Sequence, residues 1–348
     1  VLGVIMSLFL SLGAGTILSG VGVADALMQP AKTYLQIVGG FCILNALIPI
    51  CSSYLRAFGF SKEPLYASII GNVINFCLNA FSLFVLHKGV AGVATATVIS
   101  RIINLVIVVL LGAVLVKAKQ HPERESNRAV MGQIIRIGLP SACETAIYNV
   151  SMTLVIRFLN QMDAQGLNVT ARSYTMQITN FSYCVGAALA QANAIMTGWH
   201  IGAKEYDACD RGTKKAAVIG VIVAVILETV FTLCSGWIMQ LFSKDPQMVS
   251  LVGKLLAIDI VLEIGRVTNL VYGQALKTSG DAVFPVVMGA CFMILCSVGG
   301  TYLFGIRLGL LAVGAYIGMT GDECVRAVGM YLRWKSGKWK EKGLVKSR

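Results

Sequence analysis

Long apolar runs alternate with short polar interruptions from one end of the chain to the other. About 20 apolar residues cross the hydrocarbon core of a bilayer. Ten stretches meet that length, near 1–20, 30–55, 64–86, 90–116, 132–159, 168–198, 213–243, 250–276, 282–305 and 309–333. They are too long and too uniformly apolar for barrel strands, and lipid offers no water to satisfy open backbone groups. The pattern therefore predicts membrane-spanning helices. The interruptions differ in charge. Arg56 and Lys62, then Lys117 to Arg136, then Lys204 to Lys215, then Lys277 and the residues from Arg326 onward fall on one side. The intervening loops hold only Lys88, Lys244 and Arg307. The positive-inside rule predicts that the first set, and with it the C-terminus, faces the cytoplasm.

One run breaks the apolar pattern. Between Lys254 and Pro285, Asp259, Glu263 and Arg266 stand at helical offsets that share a face, and Gly273 continues it. Charge inside a membrane is costly, so such residues face a bundle interior or a water-filled cavity. Arg266 lies one turn from Glu263 and can neutralise it as a structural pair, but one arginine does not also neutralise Asp259. Glu144 and Glu228 are further acids within spans, whereas the first four spans hold none. Asp259, Glu144 and Glu263 are thus the candidate carboxylates for a coupling ion or a charged substrate. Arg266, Asn269, Asn72 and Asn75 are candidate supporting groups. A buried carboxylate can carry a proton, and a sodium ion would need several oxygens, for which Asp259 and Glu263 are the candidates. Glu228, alone in its span, reads as structural. Arg157 and Arg172 sit near the outer ends of their helices, where snorkelling toward the interface is expected. Asp322, Glu323 and Arg326 read as an ion-paired lock. Asn72, Asn75 and Asn79 follow one helical stripe, suited to interhelical hydrogen bonds or to lining a cavity.

Composition narrows the class. Of 348 residues, 56% are hydrophobic and only 13% charged, well below a soluble domain. Mean hydropathy is +0.74. The net charge of +12 is spread over loop ends and not over one patch, so it reads as a topology signal and not as nucleic-acid binding. The ten cysteines make no Cys-x-x-Cys and no Cys/His spacing, so neither a disulfide framework nor a metal site is expected. His87, His121 and His200 all fall in loops, leaving no nucleophile–base or metal pattern. No enzyme and no organic cofactor are expected. The sequon Asn168-Val169-Thr170 reads as a chance match.

An internal repeat organises the whole. A shift of 221 residues lays Leu35, Ile37, Ile43, Leu55, Gly59 and Pro64 onto Leu256, Ile258, Ile264, Leu276, Gly280 and Pro285, and Arg56 onto Lys277. One inserted residue later Gly92 falls on Gly314. The first four spans thus repeat the last four. The expectation is an all-α integral membrane protein, ten of twelve helices in two pseudo-symmetric six-helix lobes, with two helices preceding Val1. The expected divisions are an N-terminal lobe at 1–116, a cytoplasmic linker at 117–131, a C-terminal lobe at 132–334 and a basic tail at 335–348.

Several stretches, in order, resemble one family. Gly89 to Thr97 resembles the short outer hairpin of the multidrug and toxic compound extrusion (MATE) transporters. Gly138-Leu139-Pro140-Ser141 with Glu144 resembles the opening of their second half. Gln191-Ala192-Asn193 and Gly198 to Lys204 resemble a Gly-Gln-x-x-Gly-Ala loop, with Trp199 and His200 as departures. Gly280-Asp281 with Phe284-Pro285, and Asp322-Glu323 with Arg326, Arg333-Trp334 and Lys338-Trp339, complete the set. The resemblance implies an antiporter that expels amphipathic or cationic compounds in exchange for H+ or Na+ by rocking of its lobes. It implies a monomer in the lipid of a bacterial plasma membrane. A lipid-linked saccharide flippase of the same superfamily is the alternative, and a non-transporting receptor or scaffold fits less well.

Overall fold

A computed structural model describes residues 2–21, 25–116, 127–162 and 166–342. Among these residues every regular element is helical. By internal contacts the chain divides into two units, Val1–Arg124 and Glu125–Arg348. The expected linker at 117–131 lies largely outside the described residues.

The first unit holds α1 (Leu2–Leu12), α2 (Ala14–Val21), α3 (Asp25–Gly40), α4 (Leu44–Ala57), α5 (Lys62–Ala80) and α6 (Gly89–Leu115). α3 and α4 are two parts of one apolar stretch, interrupted by turns at residues 41–43. α6 packs against α3, α4 and α5. The second unit holds α7 (Asn127–Met162), α8 (Leu167–Gly202), α9 (Tyr206–Leu233), the short α10 (Ser235–Met239), α11 (Pro246–Thr278), α12 (Val283–Phe292) and α13 (Leu311–Lys335). Among the described residues, five helical stretches are long and apolar enough to cross a membrane: Met28–Ala57, Lys62–Val85, Gly89–Leu115, Tyr206–Leu233 and Val283–Arg307. Their outward faces carry large apolar side chains such as Phe76, Phe84 and Ile226, the surface that lipid requires and water does not. Of these stretches, Lys62–Val85 and Val283–Arg307 end in π-helical turns at Phe81–Val85 and Thr301–Arg307.

α11 is the spine of the second unit and packs along α8, α9 and α13. It starts cleanly: Asp245 caps the helix by accepting from Gln247 N at 3.0 Å, and Pro246 follows at the first turn. Fifteen of its residues are buried, Asp259 and Glu263 among them, whereas its exposed positions in that region, such as Val261 and Ile264, are apolar. One apolar cluster surrounds Leu255, Leu256 and Leu262, and a second surrounds Val267, Val271 and Leu276. Lipid is as apolar as leucine, so this packing gains from close contact and not from escaping water. Gly265 makes the closest approach possible. A Cβ there would stand 2.8 Å from the backbone N of Cys324, so the α11–α13 crossing depends on its absence.

The repeat is visible in backbone detail. Phe60 N donates to Leu55 O and Asp281 N to Leu276 O; Gly59 N donates to Arg56 O and Gly280 N to Lys277 O. Gly59 and Gly280 share φ values of 91° and 92°, which only glycine adopts without strain. After the one-residue insertion the second hairpin also matches: Lys88 N donates to Ser82 O, and Leu310 N to Phe304 O.

The expected basic tail is partly folded. Trp339 is buried and stacks on Trp334 with ring centroids 4.1 Å apart. Trp334 donates to Asp210 Oδ1 at 2.9 Å, and Trp339 donates to Trp334 O. Asp281 accepts from Arg333 and Lys342, each at 2.7 Å. Two apolar rings with satisfied N–H groups, and one acid holding two cations, fix a segment that its charge alone marks as solvated. Asn168 of the sequon is also buried, and its Oδ1 accepts from Ala312 N at the start of α13.

Candidate functional site

The charged stripe of α11 meets α9 in the middle of the second unit. Asp259 and Glu263 are 2% and 0% exposed, and Glu228 of α9 joins them at 0%. One oxygen from each lies within 4.8 Å of the other two. Glu263 Oε1 accepts from Arg266. Glu263 Oε2, Asp259 Oδ2 and both oxygens of Glu228 have no hydrogen-bond partner among the described residues. Ser182 of α8 is buried with its hydroxyl likewise unpartnered. Glu228, alone in its span by sequence, thus stands beside two further acids in the fold. The sequence signal was only a single acid in an apolar helix, and nothing in the chain order links residue 228 to residue 259.

Arg266 is the hinge between this cluster and open space. It bonds Glu263, approaches Glu323 Oε1 at 3.8 Å and lies over the Tyr183 ring at 5.9 Å. Two cavities meet at Tyr148, Tyr183, Arg266 and Glu323. One, with about 870 Å³ of empty space, reaches Asp259 and Asp322. The other, about 1290 Å³, reaches Glu144, Asn269, Gly273 and Lys277. The predicted α11 face is thus split: Asp259, Arg266, Asn269 and Gly273 line the cavities, while Glu263 lies behind Arg266 toward α9.

The remaining candidates separate from the cluster. Glu144 forms an ion pair with Lys277 at 2.6 Å on the wall of the larger cavity. Asn269 donates to Glu323 Oε2 at 3.0 Å. Asp322 and Glu323 both pair with Arg326, Asp322 through two bonds at 2.8 and 3.0 Å. In the first unit Asn75 donates across to Ser100 Oγ of α6 at 3.1 Å, the interhelical use that the stripe allowed, and accepts from Asn79 within α5. Asn72 is exposed and makes no hydrogen bond among the described residues. Arg157 is exposed, but Arg172 does not snorkel; it is 6% exposed and turned into the smaller cavity. An arginine on a helix facing its bundle has no path to the interface, whatever its depth.

Chemically, three unsolvated carboxylates beside one arginine make a site that lacks positive charge. Protons or a small cation would supply it, and one oxygen of each acid lies at a separation from the others that a sodium ion could bridge.

The MatE family profile matches residues 1–81 and 140–303. The uncharacterized transporter YisQ of Bacillus subtilis is 34% identical over 93% of this chain and 72% of its own length. The probable multidrug resistance protein NorM of Thermotoga maritima is 22% identical over 97% and 76%. Among solved structures, a MATE crystal structure in a straight conformation superposes with a TM-score of 0.86, at 18% identity, over 98% of this chain and 77% of that one. A multidrug resistance MATE transporter in an outward-facing conformation superposes with the same TM-score at 17% identity. The fold of buried charge inside long lipid-facing helices and the two matched blocks agree: the chain belongs to the MatE family of multidrug and toxin extrusion transporters, and it is a multi-pass membrane transporter and not an enzyme.

Proposed function

We propose that this transporter exports an amphipathic or cationic small molecule in exchange for H+ or Na+, with Asp259, Glu263 and Glu228 as the coupling site. The supporting observation is the closeness of three buried carboxylates with four oxygens left unpartnered. Arg172, Arg266 and Arg326 stand against Glu228, Asp259, Glu263, Asp322 and Glu323, so negative charge remains in excess. In a low-dielectric site that excess must be offset by bound protons, by a cation, or by a cationic cargo beside Asp259. A site that takes one of these at a time couples their movement in opposite directions. Alternating access of the cavity, with the C-terminus in the cytoplasm of a bacterial cell, completes the cycle. Asp259 contacts the cargo cavity and is assigned to both ion and cargo. Glu263 and Glu228 lie behind it and are assigned to the ion. Glu144, neutralised by Lys277, is assigned to the cavity wall. Of the described cations that line the cavities, Arg266, Arg326 and Lys277 each hold a carboxylate and Arg172 alone does not, which is too little free positive charge for a diphosphate-bearing lipid as cargo.

The full chain in sealed vesicles, with ethidium as cargo, tests this. Efflux should require an imposed proton or sodium gradient, and Asp259→Asn and Glu263→Gln should reduce it to background. Equal efflux with both gradients collapsed, or wild-type rates in both variants, would sink the reading.

A further inference from the structure

The cations of the cavity walls are committed to acids, with one exception. Arg266 holds Glu263 and Glu323, Arg326 holds Asp322 and Glu323, and Lys277 holds Glu144. Arg172 is different. Its Nη2 touches the sulfur of Met152 at 3.6 Å, its Nε has no partner, and among the described residues no carboxylate lies in ion-pair reach of it. It is only 6% exposed, yet it lines the cavity that Asp259 also lines. A guanidinium removed from water without an anion costs several kcal/mol in general, far more than a thioether contact returns. A membrane protein gains nothing from that cost by packing alone, since a leucine would fill the same volume.

We propose that Arg172 is an anion subsite within the cargo cavity, and that it takes the carboxylate of an amphiphile that also carries a cationic group. The planar fork of arginine matches a carboxylate in two parallel bonds. Asp259 stands in the same cavity to face the cationic end. Met152, Met176 and Met319 supply adaptable apolar wall to the same cavity, and Tyr183 and Tyr316 supply flat wall. The cargo is thus a zwitterion with an apolar body, and not a simple lipophilic cation. This rests on reading the cavity as the cargo site.

A matched pair of dyes separates the two kinds of cargo. Rhodamine 110 carries a free carboxylate beside its cationic xanthene, and rhodamine 123 is its methyl ester. Binding to the purified full chain in an uncharged detergent can be read by fluorescence anisotropy, without any gradient. The wild type should bind the acid about tenfold more tightly than the ester, the scale of a charge-assisted hydrogen bond. Arg172→Gln should bring the two affinities to within about twofold, by weakening the acid and sparing the ester, and Arg172→Lys should fall between. Equal binding of both dyes by the wild type, binding of neither, or an unchanged preference in Arg172→Gln overturns the proposal. So does loss of the wild-type preference on adding short-chain phosphatidylglycerol, which would assign the guanidinium to a lipid headgroup. If Arg172→Gln does not fold, the Arg172→Lys ratio decides alone: an acid preference equal to wild type overturns the proposal. Failure of ion coupling would leave the dye preference intact, so the two readings fail separately.

Discussion

Glu228 shows how one residue acquires its meaning from neighbours. In an apolar helix it costs stability, and beside Asp259 and Glu263 that cost rises, because like charges share a site with one arginine. Glu228→Gln keeps the shape and removes a charge, so it should raise the melting temperature by about 3 °C, the scale of a 1 kcal/mol gain in a domain of this size. The same variant should lower gradient-driven efflux. A rise in stability without loss of transport would reduce Glu228 to a tolerated defect. Arg266 makes the opposite case. Arg266→Met leaves Glu263 without its hydrogen-bonded cation, and truncating one member of a buried pair costs about 3–5 kcal/mol. Adding Glu263→Gln to Arg266→Met should recover at least about 1 kcal/mol in a thermal-melt double-mutant cycle, and additive losses would show that the two groups do not depend on each other.

Among the elements, α11 and the end of α13 carry the site and its support. Gly265→Ala places a methyl group against the backbone of Cys324, which cannot rotate away, so α11 and α13 must separate locally. Overpacking of this kind costs about 1–3 kcal/mol, readable as a lower unfolding temperature. The clasp around Asp281 has a pH signature. Burial by itself would raise this carboxyl, but the hydrogen bonds and charges of Arg333 and Lys342 outweigh it and hold it below its ordinary value of 3.8. A carboxyl held low on folding contributes its full stability above the ordinary value and loses it as pH falls through the folded value. Melting temperature should therefore keep the clasp's contribution from neutral pH down to about pH 4 and lose it below. Asp281→Asn should remove that acid-dependent component and cost about 1–3 kcal/mol at neutral pH, less than a fully buried pair because Arg333 and Lys342 reach solvent. An unchanged acid profile would show that the clasp does not carry it.

Over the whole molecule, the two units share a scaffold and differ in charge. The loops after α4 and α11 share their closing backbone hydrogen bonds and glycine φ values of 91° and 92°. Yet Val38, Cys42 and Asn45 stand in the first unit where Asp259, Glu263 and Arg266 stand in the second. The positions corresponding to the buried pair also differ in backbone, since the turns at residues 41–43 interrupt what is continuous helix around Glu263. The loop scaffold is thus duplicated without the charges, whereas the unbroken helix around them is not. Ion dependence should reside in the second unit: Asn75→Ala, which loses its bonds to Ser100 and Asn79, should lower stability by about 1 kcal/mol and leave the ion requirement of efflux intact. A changed ion requirement in that variant would place part of the coupling in the first unit.

Long apolar runs were legible because a bilayer forces them: a helix must be about 20 residues long and must satisfy its own backbone. The repeat was legible because glycine with positive φ and a following proline leave few substitutes. The same holds for the acids of α11, whose spacing places them on one side of one helix. What the sequence could not state is which helices bring further charge to that side. Glu228 and Arg172 lie on α9 and α8, and only packing turned one toward Asp259 and the other into a cavity. Packing also enclosed Trp339, whose basic surroundings point to solvent, and it gave Glu144 to Lys277, 133 residues away. Local pattern follows from the solvent each residue must meet, whereas the partners of a buried charge are set by helix rotation and contact across the bundle.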